Sequence, residues 1–214
     1  ASGLDEIGGK REATVHVGCP VITRTANAGE PRGIILISLD TLRADRLGVY
    51  GYERKTSPNI DRFFGEQGVV VDRVLSPATN TLRAHAGMLS GIQPAICVDN
   101  WPDPTYARMG AFPTLADVLA ANGYRTAAFT ENGYVSSRYF GLGAGFELFV
   151  ERTGSPGNPH VVGTIEETFE RGRRWIEQHR DESFFLFLHT YQVHAPYRPS
   201  PKYRALFPTA PGAP

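Results

Sequence analysis

A run of branched apolar residues near the start of the chain ends on an aspartate and limits the folds that the chain can adopt. The run extends from Gly33 to Leu39, and Asp40 follows it directly. An almost unbroken apolar run is typical of a strand that is buried on both faces of a parallel sheet. The carboxyl ends of such strands form the ligand crevice of open α/β sheets, so we expect Asp40 to lie where chemistry normally takes place.

Further strands and helices alternate along the rest of the chain. Ser57 followed by Pro58 marks one helix start, and a capping box of Thr114 with Asp117 marks another. In order, the pattern predicts a helix at 58–67, a strand at 69–74, a helix at 81–89, a helix after Thr114, a strand at 124–130, a short strand at 146–150, a helix after Thr164 and a strand at 184–189. This alternation predicts an α/β fold with one mainly parallel sheet sandwiched between helices.

Composition argues against two kinds of binding surface. The 214 residues include 22 basic and 22 acidic side chains, and a net charge of zero gives no support for a nucleic-acid or anionic-membrane partner. The longest apolar runs, at 34–39 and 184–188, are far too short for a transmembrane segment. Residues 1–32 are polar and glycine-rich, and we interpret them as a linker or the remnant of a preceding segment.

Polar side chains at three strand ends or following loops could meet at one edge of the sheet. They are Asp40 and Thr41, then Thr81, Arg83 and His85, and finally His189 and His194. A hydrolase for charged esters needs a cation, an oxygen nucleophile, donors for the non-bridging oxygens and an acid for the leaving group. Thr81 opens a predicted helix, where the field of the N-terminus favours an anionic ester and eases formation of an alkoxide. Thr81 is therefore the candidate nucleophile.

Each of these residues also has an ordinary structural interpretation. An aspartate after a buried strand is often a turn or helix cap, and a threonine at a helix start is often an N-cap. Isolated histidines are mostly structural or surface groups, and we assign His16, His160 and His179 to that class. Only the combination of polar groups at the strand ends favours a functional site.

A series of short motifs extends from about residue 33 to residue 207. They are 37–45, 47–52, 56–61, Ser76-Pro77, Met88 to Pro94, Gly123 to Phe129, Phe185 to His189 and His194 to Tyr197. Together and in this order they resemble the sulfatase family within the alkaline-phosphatase superfamily. The resemblance implies a large mixed-to-parallel sheet between helices, a divalent cation site, and hydrolysis or transfer of a sulfate or phosphate ester.

The resemblance also implies roles for individual residues. Asp40 matches the first of the family's paired metal-binding aspartates, and Thr41 stands where the second would be. Thr81 stands at the position of the cysteine or serine that sulfatases convert to formylglycine, and His194 matches a histidine that contacts substrate. The resemblance implies that Thr81, His85 and His194 are catalytic residues. It implies that Arg83, His189 and His194 bind substrate. It also implies that a divalent cation (calcium, zinc, manganese or magnesium) is bound by Asp40, Thr41 and Thr81.

The sequence departs from the family pattern at several of these positions. A threonine at position 81 cannot become formylglycine by the usual oxidation of cysteine or serine. Threonine nucleophiles occur in similar enzymes that cleave or transfer phosphoesters, such as phosphoethanolamine transferases and lipoteichoic acid synthases. His85 stands where the motif has arginine, and Glu131 stands where the family has lysine. Phosphoryl transfer is therefore an alternative to sulfate hydrolysis.

The downstream Asp-His or Asp-Asn pair that completes the family's metal site does not occur in the sequence. We therefore interpret residues 33–214 as the N-terminal part of a sulfatase-like catalytic domain, truncated at its C-terminus, and expect the chain alone to be a poor catalyst. The alternative is a non-catalytic binding or structural protein of the same fold, for which Thr41 and Glu131 are the best support. The resemblance further favours a periplasmic or extracellular location.

Overall fold

The fold is built on a four-stranded sheet in which all neighbouring strands are parallel. A computed structural model describes residues 31–94, 112–131, 133–152, 164–197 and 199–207. The strands are β1 (Gly33–Leu39), β2 (Arg125–Glu131), β3 (Leu148–Arg152) and β4 (Phe184–Thr190), in the spatial order β1-β4-β2-β3. The predicted parallel sheet is confirmed. The predicted linker up to residue 30, and both His16 and His160, lie outside the described residues.

Six helices connect or flank these strands in the part of the chain that the structure describes. They are α1 (Pro58–Gln67), α2 (Thr81–Ser90), α3 (Leu115–Ala121), α4 (Ser137–Phe140), α5 (Ile165–Gln178) and α6 (Pro201–Leu206), with short 3₁₀ turns at 44–46 and 48–50. Helices begin where they were predicted, although Ser57 makes no side-chain capping bond and its hydroxyl donates to Asp61 instead. Thr114 and Asp117 form a complete capping box, and the Thr164 side chain accepts a hydrogen bond from the backbone N–H of Glu167.

The central strand β4 divides the hydrophobic core into two layers, because successive side chains of a strand point to opposite faces. Phe185 and Phe187 pack on one face against Leu82, Ala86 and Leu89 of α2 and Ala116 of α3. Phe184, Leu186 and Leu188 pack on the other face against Trp175 of α5. Helices therefore cover both faces of the sheet, as predicted.

Strand β1 differs from its prediction. The sequence predicts burial on both faces, but Ile34, Ile35 and Ile37 are 38%, 48% and 49% exposed. Among the described residues β1 pairs only with β4 and so lies at an edge of the sheet. The apolar run therefore identifies the strand correctly but not its position, because position depends on which strands and helices fold against it.

The predicted strand at 69–74 is wrong. The segment between α1 and α2 is irregular, and Val69, Val71 and Val74 are exposed. The backbone carbonyl of Val71 accepts a hydrogen bond from the Tyr50 hydroxyl instead of from a neighbouring strand. A β-branched segment is stabilised as a strand only when another strand and a covering layer are available, and neither is present here among the described residues.

Candidate active site

The carboxyl ends of β1 and β4 bring Asp40 and His189 together. The register of the sheet pairs Ser38 with His189, so the last residues of the two strands lie side by side. The backbone N–H of Asp40 donates to the carbonyl of Thr190 at 3.1 Å, which extends the pairing beyond β1 itself. As a result, the Asp40 side chain lies next to the imidazole of His189, with 3.3 Å between Asp40 Oδ2 and His189 Nε2.

Helix α2 begins beside these strand ends and presents Thr81 to them. Asn80 is the N-cap residue, and its side chain accepts a hydrogen bond from the backbone N–H of Arg83 at 2.9 Å. Thr81 is therefore the first residue of the helix and not its cap. Because Asn80 performs the capping, the hydroxyl of Thr81 is available for other contacts.

A cavity of about 780 Å³ lies over this edge of the sheet. Its walls include most of the residues that the sequence nominated as well as several that it did not. The lining residues used below are Ser38, Asp40, Thr41, Asn80, Thr81, His85, Tyr134, Tyr191 and His194. The structure thus brings Asp40, Thr81, His85 and His194 together around one cavity, while their chemical roles stay predictions.

Asp40 is held as a carboxylate by its neighbours. Burial raises the pKa of Asp40, but the hydrogen bond with His189, the nearby imidazoles and a hydrogen bond from Thr81 outweigh burial and leave the pKa below its ordinary value. Thr81, the candidate nucleophile, lines the same cavity as Asp40, the candidate metal ligand. A carboxylate in this position can bind a cation or accept a proton from the hydroxyl.

His85 is a neutral side chain at physiological pH. Burial, followed by the neighbouring His189, lowers the pKa of His85 to about 4, although the Thr81 carbonyl and Asp40 act in the opposite direction. His85 Nδ1 lies 2.7 Å from the Thr81 carbonyl oxygen, and Nε2 lies 2.9 Å from Ser38 Oγ. His85 therefore does not supply the permanent charge of the arginine that the family motif has at this position.

Two tyrosines on the cavity wall, Tyr134 and Tyr191, were missed by the sequence analysis. Burial, followed by the charge of Asp40 and by Tyr134, raises the pKa of Tyr191 to about 12, while a hydrogen bond with Thr81 acts against this increase. Tyr191 therefore remains a phenol that can donate a hydrogen bond, and its ring stacks on His194 with 4.0 Å between centroids. The rule that identified His189, a polar group at a strand end, would also have identified Tyr191.

Other predicted site residues lie away from the cavity or contact other groups. Arg83 does not line the cavity, and its Nε is buried without a hydrogen-bond partner among the described residues. His189 has no exposed surface and lies behind Asp40. Thr41 lines the cavity, adopts a left-handed backbone with φ of 59°, and donates its hydroxyl to the carbonyl of Val193 at 3.2 Å.

Glu131 is a structural residue in this fold. It is fully buried at the end of β2, where its carboxylate accepts hydrogen bonds from the hydroxyls of Thr168 and Thr190 and from the backbone N–H of Tyr191. The distances are 2.7, 3.0 and 3.1 Å, respectively. Glu131 therefore fixes the turn that carries Tyr191 to the cavity. These contacts explain why position 131 holds glutamate where the family has lysine. The difference is therefore not evidence that the protein has lost catalysis.

The residues of the site fit a divalent cation. Asp40, His85 and His189 each offer one ligand atom, and these atoms all lie within 4.8 Å of one another. Carboxylate and imidazole are the common protein ligands of divalent transition metals. Thr81 of the predicted metal set also borders this cluster, since its carbonyl oxygen lies 2.7 Å from His85 Nδ1.

Comparisons with known proteins place the chain in a family. Among the described residues, no helix has both the length and the apolarity needed to cross a membrane. A search of curated proteins found no match. The protein-family model described as Sulfatase matches residues 32–213.

Solved structures with the same fold include enzymes and a protein named only by its superfamily. BT4656, solved in complex with its substrate D-glucosamine-2-N,6-O-disulfate, matches with a TM-score of 0.67 and 19% identity over 83% of this chain and 37% of that one. The C-terminal periplasmic domain of EcEptC from Escherichia coli, in complex with Zn, has a TM-score of 0.60 and 16% identity over 87% of this chain and 51% of that one. A protein of the alkaline phosphatase superfamily from Vibrio parahaemolyticus has a TM-score of 0.59 and 20% identity over 80% of this chain and 43% of that one.

The chain spans between 37% and 51% of the length of these three structures. At these identities the structural matches show a shared fold, whereas the family model covers most of the sequence. The expected fold and the expected family are therefore both confirmed. This chain belongs to the sulfatase family.

Proposed function

We propose that the protein is a metal-dependent enzyme that hydrolyses or transfers sulfate or phosphate esters, with Thr81 as its nucleophile. The observation that carries this proposal is that Asp40, at the end of β1, and Thr81, at the start of α2, line one cavity together with His85, Tyr191 and His194. The solved structures support the substrate class, since BT4656 was solved with a sulfated sugar. A lipooligosaccharide phosphoethanolamine transferase from Neisseria meningitidis has the same fold, with a TM-score of 0.57 and 21% identity.

The first chemical step is attack of Thr81 Oγ on the sulfur or phosphorus atom of the ester. An Oγ–S or Oγ–P bond forms, the bond to the leaving oxygen breaks, and the hydroxyl proton passes to the Asp40 carboxylate, which lines the same cavity. Tyr191 is a protonated donor on the cavity wall and can hydrogen-bond a non-bridging oxygen. His194 lies on the same wall, from which it can donate a proton to the leaving oxygen.

A divalent cation bound near Asp40 would screen the negative charge of the ester and ease ionisation of the threonine hydroxyl. Residues 33–214 then form the nucleophile-bearing part of a catalytic domain. We further propose a location outside the cytoplasm, since one of the matching structures is a periplasmic domain.

The test is turnover of an aryl sulfate, an aryl phosphate and a bis-aryl phosphate by a full-length version of the protein, before and after chelation. We expect activity on at least one ester and its loss with a chelator. Thr81→Ala should lower kcat by at least roughly 1,000-fold because the attacking atom is gone, whereas Thr81→Ser should retain part of the activity. Equal activity of Thr81→Ala and the unaltered protein would contradict the assignment of the nucleophile.

Absence of turnover on all three esters in the presence of metal would instead favour a binding or structural protein of the sulfatase fold. Metal analysis separates these outcomes at low cost, because a catalytic site should hold its cation tightly.

A further inference from the structure

A second cavity, of about 470 Å³, adjoins the candidate active site and shares part of its wall. Thr41 and Leu42 line both cavities, so the two meet at the end of β1. The other residues that line the second cavity, called the outer cavity below, are Arg43, Arg46, Gln192, Val193, Tyr197 and Pro199. A substrate whose ester lies beside Thr81 can therefore extend past Thr41 into the outer cavity.

The two segments that form the outer cavity are joined to each other. One follows β1 and carries Arg43 and Arg46, and the other follows β4 and carries Val193 and Tyr197. The Thr41 hydroxyl donates to the carbonyl of Val193 at 3.2 Å, which links the segments where the two cavities meet. The outer cavity therefore lies at the same edge of the sheet as the candidate active site.

The outer cavity is positively charged. Arg43 and Arg46 line it, and no acidic side chain does so among the described residues. Arg43 forms a bidentate ion pair with Asp45, with 2.9 Å from Nε to Oδ1 and 2.5 Å from Nη2 to Oδ2. The same carboxylate lies 4.0 Å from Arg46 Nε. One carboxylate thus faces two guanidinium groups, and a net positive charge remains.

Both arginines retain hydrogen-bond donors for a ligand. A guanidinium carries five N–H donors, and the ion pair with Asp45 uses two of those of Arg43. Arg46 Nη1 donates to the Tyr52 hydroxyl at 3.2 Å, and the Tyr52 ring lies under the guanidinium, which fixes its orientation. Planar guanidinium groups match the oxygens of sulfate, phosphate and carboxylate groups, which they bind through paired hydrogen bonds.

We propose that the outer cavity binds a second anionic group on the same substrate molecule whose ester is attacked by Thr81. The inference rests on the proposed function and names the substrate class of that same site, which is esters that carry a further sulfate, phosphate or carboxylate. Arg43 and Arg46 bind this group. The ring of Tyr197, which is 75% exposed, offers a surface for the part of the substrate that joins the two anions.

The experiment measures binding to a full-length version of the protein with Thr81→Ala, in which the ester is not cleaved. The probes are phenyl phosphate and phenyl sulfate with a para-carboxylate attached directly, through two carbons or through four, each paired with the carboxamide of equal length. Calorimetry gives the dissociation constants. We expect at least one carboxylate to bind about tenfold more tightly than its carboxamide, because hydrogen bonds between two charged groups are the stronger ones. The gain should shrink at high salt, because both arginines are exposed.

Variants identify the residues that bind the second anion. Arg43→Gln combined with Arg46→Gln should abolish the gain. Arg180→Gln is the matched control and should retain it, because Arg180 also pairs with a neighbouring carboxylate, that of Asp181, but lines neither cavity. With Thr81 intact, the gain should appear as a lower KM with little change in kcat, since a remote contact stabilises the ground state and the transition state alike.

Two results would overturn the inference: equal affinities for carboxylate and carboxamide at every length, or a gain that the double arginine variant retains. If the protein with Thr81 intact nevertheless turns over these esters, the proposed function stands and only the role of the outer cavity fails. If the gain depends on Arg43 and Arg46 but no ester is turned over, the anion site stands and the proposed function fails.

Discussion

At the scale of single residues, Glu131 shows how burial can explain a departure from a family pattern. Its carboxylate satisfies three donors that belong to α5, β4 and the turn after β4. A lysine at this position would bring only further donors to the same place. Glu131 is therefore matched to its own surroundings, and this removes one of the two sequence arguments for a protein that has lost catalysis.

We predict that Glu131→Ala lowers the free energy of unfolding by about 3 kcal/mol, because it leaves buried donors unpaired and removes charge-assisted hydrogen bonds. Urea unfolding followed by circular dichroism measures the change. Glu170→Ala is the control, since Glu170 forms exposed ion pairs with Arg173 and Arg174 and its loss should alter stability much less. Equal midpoints for Glu131→Ala and the unaltered protein would show that the buried network is not needed.

At the scale of elements, the start of α3 depends on a close approach by the loop before β3. Gly145 has a positive φ of 78°, and a Cβ atom there would lie 2.2 Å from the backbone nitrogen of Asp117. The same loop accepts a hydrogen bond from the capping residue, since the Thr114 hydroxyl donates to the carbonyl of Ala144 at 3.0 Å. Glycine is required here by both the backbone conformation and the available space.

Gly145→Ala should destabilise the protein by about 3 kcal/mol, because a strained backbone and an overpacked contact each cost about 1–3 kcal/mol. Gly51→Ala separates the two effects. Gly51 also has a positive φ, of 90°, but a Cβ atom there would meet no described atom within 4 Å. We expect a loss of only about 1 kcal/mol at Gly51, from the backbone alone. Thermal unfolding of both variants tests this difference, and equal losses would contradict the steric explanation.

At the scale of the whole molecule, β1 lies at an edge of the described sheet and leaves apolar surface beside backbone groups that pair with no other described strand. Ile34, Ile35 and Ile37 are partly exposed on a strand that has one neighbour in the described sheet. Exposed apolar edges of this kind favour pairing with other chains, and a lysine on the edge usually prevents it. The chain should therefore self-associate through this edge as its concentration rises.

Ile35→Lys should reduce self-association measured by light scattering over a range of protein concentrations, while stability changes by about 1 kcal/mol or less. Phe63→Lys is a matched control, because Phe63 of α1 is similarly exposed but lies away from the sheet edge. If both variants reduce scattering equally, association depends on general surface hydrophobicity and not on the β1 edge.

Much of the fold could be predicted because its signals are local. Apolar runs identified β1 and β4, and the capping pairs at Thr114 and Thr164 identified the starts of two helices. The strand predicted at the valine-rich segment 69–74 is wrong because a strand needs a partner strand, and no local sequence signal shows whether one is present. The exposure of β1 could not be predicted for the same reason.

The same distinction between local and long-range signals applies to the candidate site. Local sequence patterns were enough to predict that polar groups follow apolar strands and that Thr81 begins a helix, since both are properties of short segments. The packing of distant segments was needed to show that His85 and His189 lie beside Asp40 and that Arg83 does not line the cavity. The structure was also needed to show that Asn80 caps α2 in place of Thr81. These outcomes depend on sheet order and register, which join residues 149 positions apart such as Asp40 and His189 and are set by the packing of the whole core.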